Sequence, residues 1–348
     1  MVRIGTHQIG VAAPPFIIAE LSGNHDGSLA RALATVEAIA ASGAQALKLQ
    51  TYTADTMTLD IAEREFVVDN PKSLWFGRTL YSLYHEAHTP WEWHAPLFRR
   101  ARELGLVAFS SPFDATAVDF LESLDVPAYK IASFENCDLD LIRRVAGTGK
   151  PVIISTGLAT LAEISEAVLT AREAGCRELV LLKCTSNYPA DPSSTNLRTV
   201  SYLRDTFGCE VGLSDHTLGI AVAIASVAAG ATVIEKHVTL DRSAGGVDAA
   251  FSLEPAELTQ LVAAARTAWQ ALGAVQTTPT DEELPSLVFR RTLYVCKDLA
   301  AGDVLTAENL RAIRPGRGLA PKHRAALLGK RVTRAVARGT PMSWELVG

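Results

Sequence analysis

Eight short, nearly continuous apolar runs recur between residues 16 and 236: FIIAE, QALKLQ, GLVAFS, AYKIAS, PVIIST, ELVLLK, VGLSD and ATVIEK. Runs of this length without strict alternation suit parallel strands buried on both faces. The intervals between them accommodate helices. SLARALATVEAIAASG places Leu29, Leu33, Val36 and Ile39 on one stripe, and ATAVDFLESLDV does the same with Val118, Leu121 and Leu124. GLATLAEISEAVLTAREAG carries Leu161, Ile164, Val168 and Ala171, then reaches a glycine, which closes a helix in the left-handed conformation with little strain. Eight strand-to-helix transitions predict an α/β chain closed into a (β/α)8 TIM barrel. An open doubly wound sheet shares the periodicity. No Gly-x-Gly-x-x-Gly follows the first strand, however, so a nicotinamide-binding reading lacks its local sign.

Two stretches interrupt the alternation. From Tyr52 to Trp93 an aromatic segment of mixed charge predicts a folded insertion at the barrel rim, placed to close over a substrate. After Ala274, QTTPTDEELPS breaks the repeat and reads as a linker. The expected organisation is therefore a catalytic barrel over residues 1–274, a linker over 275–287 and a small accessory domain over 288–348. In the last of these RRTLYVCKDL supplies short strands and LTAENL predicts a helix beginning near Thr306.

Composition narrows the function classes. The 348 residues are 48% hydrophobic and 20% charged, as expected of a folded chain, and the net charge of -5 gives no general attraction to polyanions. No nucleic-acid partner is expected. No apolar run has the length of a membrane helix and the opening residues lack a signal-like run, so a cytoplasmic enzyme with no membrane partner is the expectation. The five cysteines are dispersed, without metal-type spacing or a disulfide framework.

In a closed barrel, side chains from distant sequence positions converge at the C-terminal ends of the strands. Glu20, Lys48, Gln50, Ser110, Lys130, Glu135, Ser155, Lys183, Ser214, His216, Glu235, Lys236 and His237 lie at or just beyond those ends. Strand alternation prevents all of them from facing one site. Lys48 and Lys130 interrupt apolar runs, where an unpaired charge is costly. With the hydroxyls of Ser133 and Ser155 they form a candidate anion pocket, or alternatively two internal ion pairs with Glu20 and Glu135. His216, in GLSDHT, and His237, in IEKHVTLD, can together ligate a divalent ion, or can separately cap strand-end carbonyls. The Gly-Gly pair in TLDRSAGGVDAAFSLEP predicts a sharp loop, with Asp248 as a candidate acid or base and Phe251 as an apolar wall.

The ordered set AELSGNHDGSL, ALKLQTY, VAFSSPFD, AYKIASFEN, VIISTG, LLKCTSNYPA, VGLSDHT and IEKHVTLD resembles the sialic-acid synthase family, phosphoenolpyruvate-dependent nonulosonate synthases, and covers nearly the whole chain. The C-terminal segment resembles the family's antifreeze-protein-like (SAF-type) domain. HTPWEWH and GGVDAAFSLEP are similar to the branch that makes pseudaminic acid. Ser186 stands where sialic-acid synthases commonly carry asparagine, and the Gly-Pro-Asp-His segment common before SLEP is absent. The resemblance implies condensation of phosphoenolpyruvate with an N-acetylated amino sugar, here 2,4-diacetamido-2,4,6-trideoxy-L-altrose. N-acetylneuraminic or legionaminic acid synthesis is the near alternative, and a catalytically silent sugar-binding protein the distant one.

The same resemblance implies the site residues. Lys48, Ser110, Lys130, Ser133, Ser155, Ser186 and Ser214 would bind phosphoenolpyruvate. His216 and His237 would hold a divalent metal, Mn2+ foremost and Mg2+ or Co2+ as substitutes. Glu20 would orient or deprotonate the attacking water, and Glu135 and Asp248 would orient hydroxyls or move protons. Gln50, Tyr188, Asp248 and Phe251 would contact the sugar. Arg314 would reach it from the partner in a domain-exchanged homodimer.

Overall fold

The computed structural model describes residues 2–348. Two short antiparallel strands, β1 (Val2–Ile4) and β2 (His7–Ile9), precede the barrel. The eight predicted runs then form β3 (Phe16–Glu20), β4 (Ala46–Thr51), β5 (Val107–Pro112), β6 (Tyr129–Ile131), β7 (Val152–Ser155), β8 (Leu179–Cys184), β9 (Glu210–Asp215) and β10 (Val233–His237). All pairings are parallel, and β10 closes on β3, which makes the predicted barrel. Buried aliphatic side chains on both faces of the strands explain why the runs show no alternation: Ile17, Ile18, Leu47, Leu49, Val180 and Leu182 are all sealed from solvent.

The helices start and stop where local chemistry dictates. Helix Leu29–Ser42 begins at Ser28, whose side chain accepts the Arg31 N–H, and ends at Gly43 with φ 82°. Its stripe buries Val36 and Ile39 against the barrel, worth roughly 2 kcal/mol per side chain. Helix Leu161–Glu173 opens on a capping box between Thr160 and Glu163. Gly212 in β9 meets a different demand. A Cβ there would lie 2.2 Å from the Val233 carbonyl oxygen of β10, so only glycine lets the two strands approach.

Between β4 and β5 the insertion folds as helices Ala54–Met57 and Leu80–Ala87 with a single turn at Arg64–Phe66. Its last residues already belong to the barrel helix Trp91–Glu103, so the insertion ends earlier than its composition suggested. The apolar face of that helix, with Leu97, Phe98 and Ala101, was masked by the neighbouring tryptophans and charges.

Two compact units are present, Met1–Gly273 and Ala274–Gly348. Within the second, β11 (Thr292–Val295) pairs antiparallel with β12 (Leu310–Ile313), and a small core gathers Leu293, Val295, Leu305, Leu310, Leu327 and Met342. The helix expected near Thr306 does not form. Asn309 accepts the Thr306 N–H through Oδ1 at 2.8 Å and donates to the Val304 carbonyl at 2.9 Å, which turns the chain directly into β12. Among the described residues, no helix is long and apolar enough to cross a membrane.

Candidate active site

Strand alternation decides which polar residues meet at the C-terminal mouth of the barrel. Lys48 and Gln50 of β4, Lys130 of β6, Ser155 of β7, Cys184 of β8, Ser214 of β9, and Glu235 and His237 of β10 line one cavity of about 260 Å³. Ser133, Glu135, Tyr188, His216 and Asp248 join them from the loops that follow the strands.

At the floor lies a buried network of charges. Lys48 is ion-paired with Glu20 and sits 3.7 Å from Glu235. Lys130 lies 3.7 Å from the same Glu235 oxygen and donates to Ser155 Oγ at 2.7 Å. Ser214 donates to Glu235 at 3.1 Å. Burial opposes the Glu235 carboxylate, but the two ammonium groups and the Ser214 hydroxyl outweigh it and hold its pKa below the usual range. Burial dominates at Glu20 and raises its pKa from 4.5 to about 7 against the pull of Lys48. The Lys130 pKa is lowered by burial and by Lys48 beside it. Both lysines therefore serve as buried ion-pair partners, yet their cavity faces leave them available to an anion.

The two imidazoles meet on the adjacent ends of β9 and β10, with ring centroids 5.3 Å apart. His216 Nδ1 lies 3.0 Å from the Thr185 carbonyl and donates its N–H there, so the neutral ring carries its lone pair on Nε2; against burial, Cys184 and that carbonyl raise the His216 pKa above its usual 6.5. His237 Nδ1 is buried without a hydrogen-bond partner, 3.9 Å from an Asp248 oxygen. Burial, with His216 and the lysines nearby, pushes the His237 pKa well below 6.5 and keeps the ring neutral. A neutral imidazole with an orphaned nitrogen, next to a second imidazole oriented through a carbonyl, fits a divalent ion. No cluster of three or more His, Cys, Asp or Glu side chains suited to a metal occurs among the described residues, so such an ion would rely on solvent or substrate oxygens for its remaining positions.

Four predicted residues, Ser110, Glu20, Phe251 and Ser186, do not line this cavity. Ser110 points outward from β5, where its Oγ bonds Thr51 Oγ1 at 2.7 Å, and Thr51 in turn bonds the neutral, buried His94 at 2.9 Å. The inward hydroxyl is Ser111, which accepts from Lys48 at 3.2 Å. Strand β5 runs to Pro112, past the predicted end at Ser110, and pairs Ser111 with the inward Gln50 of β4, so alternation turns Ser110 to the outer face. Glu20 lies behind Lys48, fully buried. Phe251 is buried behind the imidazoles, with ring centroids 5.0 Å from His237 and 5.2 Å from Tyr188, and braces those rings as packing. Ser186 is not a lining residue itself, but its Oγ lies 3.8 Å from Sγ of the lining Cys184. Arg314 belongs to the second unit, directly after β12.

Gly157 shows how closely the serines are set. A Cβ at this position would stand 2.3 Å from Ser186 Oγ and 2.6 Å from Ser133 Oγ, and its N–H donates to Ser133 at 3.2 Å. Gly157→Ala is expected to drive both hydroxyls out of place and raise KM for an anionic substrate of this cavity by about tenfold or more, with the melting temperature nearly unchanged. Steady-state kinetics and a thermal melt check both parts.

Several cavity residues went unassigned in the sequence. The insertion contributes Tyr52, Met57, Val68, Trp75, Leu80 and Leu83 as one wall. Trp75 Nε1 donates to the Val247 carbonyl at 3.0 Å, which joins the insertion to the Gly-Gly loop. Nothing in a long loop's composition announces which apolar residues it turns inward. Glu235 was visible as a strand-end carboxylate, but only the register shows that it faces two lysines.

Glu135 has a raised pKa, from 4.5 to about 7, chiefly because burial disfavours its charge. The folded protein therefore holds a proton that the unfolded chain releases above 4.5. This contribution to stability is complete below that pH and is lost as pH rises through 7. Glu135→Gln is expected to gain about 1–2 kcal/mol on the wild type between pH 5 and pH 8, read from denaturant melts at each pH. Parallel pH profiles for the two proteins would contradict it.

Comparison with known proteins supplies further findings. The NeuB family model matches residues 35–277, and the SAF domain model matches residues 290–347. The chain is 43% identical over 324 residues to pseudaminic acid synthase of Campylobacter jejuni subsp. jejuni serotype O:2, covering 93% of this chain and 94% of the relative. It is 39% identical over 337 residues to N,N'-diacetyllegionaminic acid synthase of Legionella pneumophila subsp. pneumophila, covering 95% of this chain and 94% of that one. Among solved structures, the N-acetylneuraminic acid synthetase of Leptospira borgpetersenii superposes with a TM-score of 0.73 at 31% identity, covering 82% of this chain and 94% of that one.

Proposed function

The chain belongs to the NeuB family, and from that premise we propose that it condenses phosphoenolpyruvate with 2,4-diacetamido-2,4,6-trideoxy-L-altrose and water to give pseudaminic acid and phosphate. The observation that carries the reaction type is the pair of buried lysines beside hydroxyls and two imidazoles in one cavity. Identity to pseudaminic acid synthases at 43% over more than nine tenths of the chain carries the choice of product.

Lys48, Lys130, Ser133, Ser155 and Ser214 hold the phosphate and carboxylate of phosphoenolpyruvate, with Ser111 steadying Lys48. Carbon 3 of the enol attacks the aldehyde carbon of the open-chain sugar, and the aldehyde oxygen takes up a proton to become a hydroxyl. The positive charge that develops on carbon 2 is met by water, which loses one proton on attack. The resulting hemiketal phosphate expels phosphate by breaking its carbon–oxygen bond, and loss of the second water proton leaves the ketone. Glu20, buried behind Lys48, holds that ammonium in place, and Glu135, which lines the cavity with its pKa raised to about 7, is suited to take a proton from water at neutral pH. Glu135 and Asp248 face the cavity and orient sugar hydroxyls. His216 and His237 would hold a divalent ion, Mn2+ by preference, which supplies electrophilic stabilisation of the aldehyde oxygen when bound.

The insertion wall supports a deoxygenated sugar. Met57, Val68, Leu80 and Leu83, with Val247 of the Gly-Gly loop, offer a methyl group apolar contact but offer a hydroxyl no partner. Competition between the diacetamido trideoxyaltrose and N-acetylmannosamine tests the assignment. Preferred use of the first is expected; efficient use of N-acetylmannosamine with weak use of the first would overturn it.

The proposal includes a domain-exchanged homodimer in which the C-terminal unit covers the partner's barrel and Arg314 reaches the acetamido groups. The uneven distribution of charge supports it. Ala274–Gly348 carries twelve Lys and Arg against seven Asp and Glu, so the rest of an acidic chain bears the compensating negative charge.

A further inference from the structure

Resting on that reading of the site, we propose that Ser22 is a positioning residue that fixes Asp248 relative to Glu20. Ser22 follows β3 directly and is 1% exposed. Its backbone N–H donates to Glu20 Oε1 at 3.2 Å, and its hydroxyl donates to Asp248 Oδ2, the oxygen that lies 3.9 Å from His237 Nδ1. One residue therefore holds two carboxylates that come from opposite ends of the barrel sequence.

The surroundings show why such a bond is needed. Asp248 follows Gly245 and Gly246, both at positive φ (84° and 117°), in a loop with little conformational restraint of its own. Asn24 secures the base of that loop by donating to the Val238 carbonyl at 2.9 Å and to Ser252 Oγ at 2.8 Å, and Ser252 donates to the Asp248 carbonyl at 2.7 Å. These bonds fix the backbone of the loop. Among the described residues, Ser22 is the one side chain that donates to the Asp248 carboxylate, which also accepts the Gly23 backbone N–H, and it binds the oxygen that faces the imidazole. Ser22 does so at φ 50°, a left-handed conformation that costs any residue with a Cβ. A glycine would adopt the backbone without strain, so the fold alone does not call for serine here.

That argument selects the variant. Ser22→Gly keeps the backbone and the N–H to Glu20 and removes the hydroxymethyl side chain with its hydrogen bond to Asp248. It is expected to melt no lower than the wild type, to lose about ten- to a hundredfold in kcat and to leave KM for phosphoenolpyruvate within about twofold. In an Asp248→Asn background the same change is expected to cost less than about twofold more, because the group it positions is already gone. Amide exchange at Val247–Ala249 is expected to speed up in Ser22→Gly. An unchanged kcat, an undiminished effect in the Asp248→Asn background, or unaltered exchange would each overturn the positioning role. A wild-type protein that makes no product would instead remove the condensation reading and leave amide exchange to decide the positioning one.

Discussion

Replacing His237 by glutamine is expected to lower kcat by about a thousandfold while the protein keeps its fold. The ring lies on β10 with an orphaned Nδ1, kept neutral by burial, and faces His216 across the strand ends. Stabilisation of a developing oxyanion by a bound divalent ion is worth several kcal/mol, and about 4 kcal/mol corresponds to a thousandfold. Glutamine matches the size of the imidazole but is a poor ligand, so calorimetric affinity for Mn2+ is expected to fall at least tenfold. Full activity with weakened Mn2+ binding would separate the imidazole pair from the chemistry. Unchanged binding would return His237 to a packing role against Phe251.

Lys48→Met carries the second large effect, and it acts on two properties at once. The variant leaves Glu20 and Glu235 buried with Lys130 as their remaining cationic neighbour, a loss that typically costs about 3–5 kcal/mol in stability. Glu20 already titrates near pH 7, so it can take up a proton once its partner is gone. The destabilisation is therefore expected to be larger at pH 8 than at pH 6, in denaturant melts at both. Loss of one of two cations in the anion pocket is also expected to lower kcat/KM for phosphoenolpyruvate by about a thousandfold. A deficit independent of pH would show that the carboxylates do not compete for the lysine as their geometry indicates.

Much of this site is legible in the sequence, and for a definite reason. Strand ends in a closed barrel converge, so Lys48, Lys130, Ser155, Ser214, His216 and His237 could be grouped from eight apolar runs and the residues that end them. What escaped depends on information that runs across strands. Ser110 and Ser111 are adjacent, and only the register of β5 against β4, which pairs Ser111 with the inward Gln50, tells which of them faces the cavity side. Phe251 was expected as an apolar wall against the sugar, but it is buried against the His237 and Tyr188 rings. Ser22 carried no sign at all, since a short polar residue after a strand has no periodicity and its partner is 226 positions away. The LTAENL turn shows the same limit locally: one asparagine that binds the backbone outweighs a helix-forming composition.

The most direct test is a metal-supplemented reaction of phosphoenolpyruvate, labelled with 18O in its bridging oxygen, with 2,4-diacetamido-2,4,6-trideoxy-L-altrose. The account predicts a product of pseudaminic acid mass formed in equal amount with inorganic phosphate, and the label carried entirely by the phosphate. Absence of that product from folded, metal-supplemented protein, or label retained in the sugar acid, would contradict it.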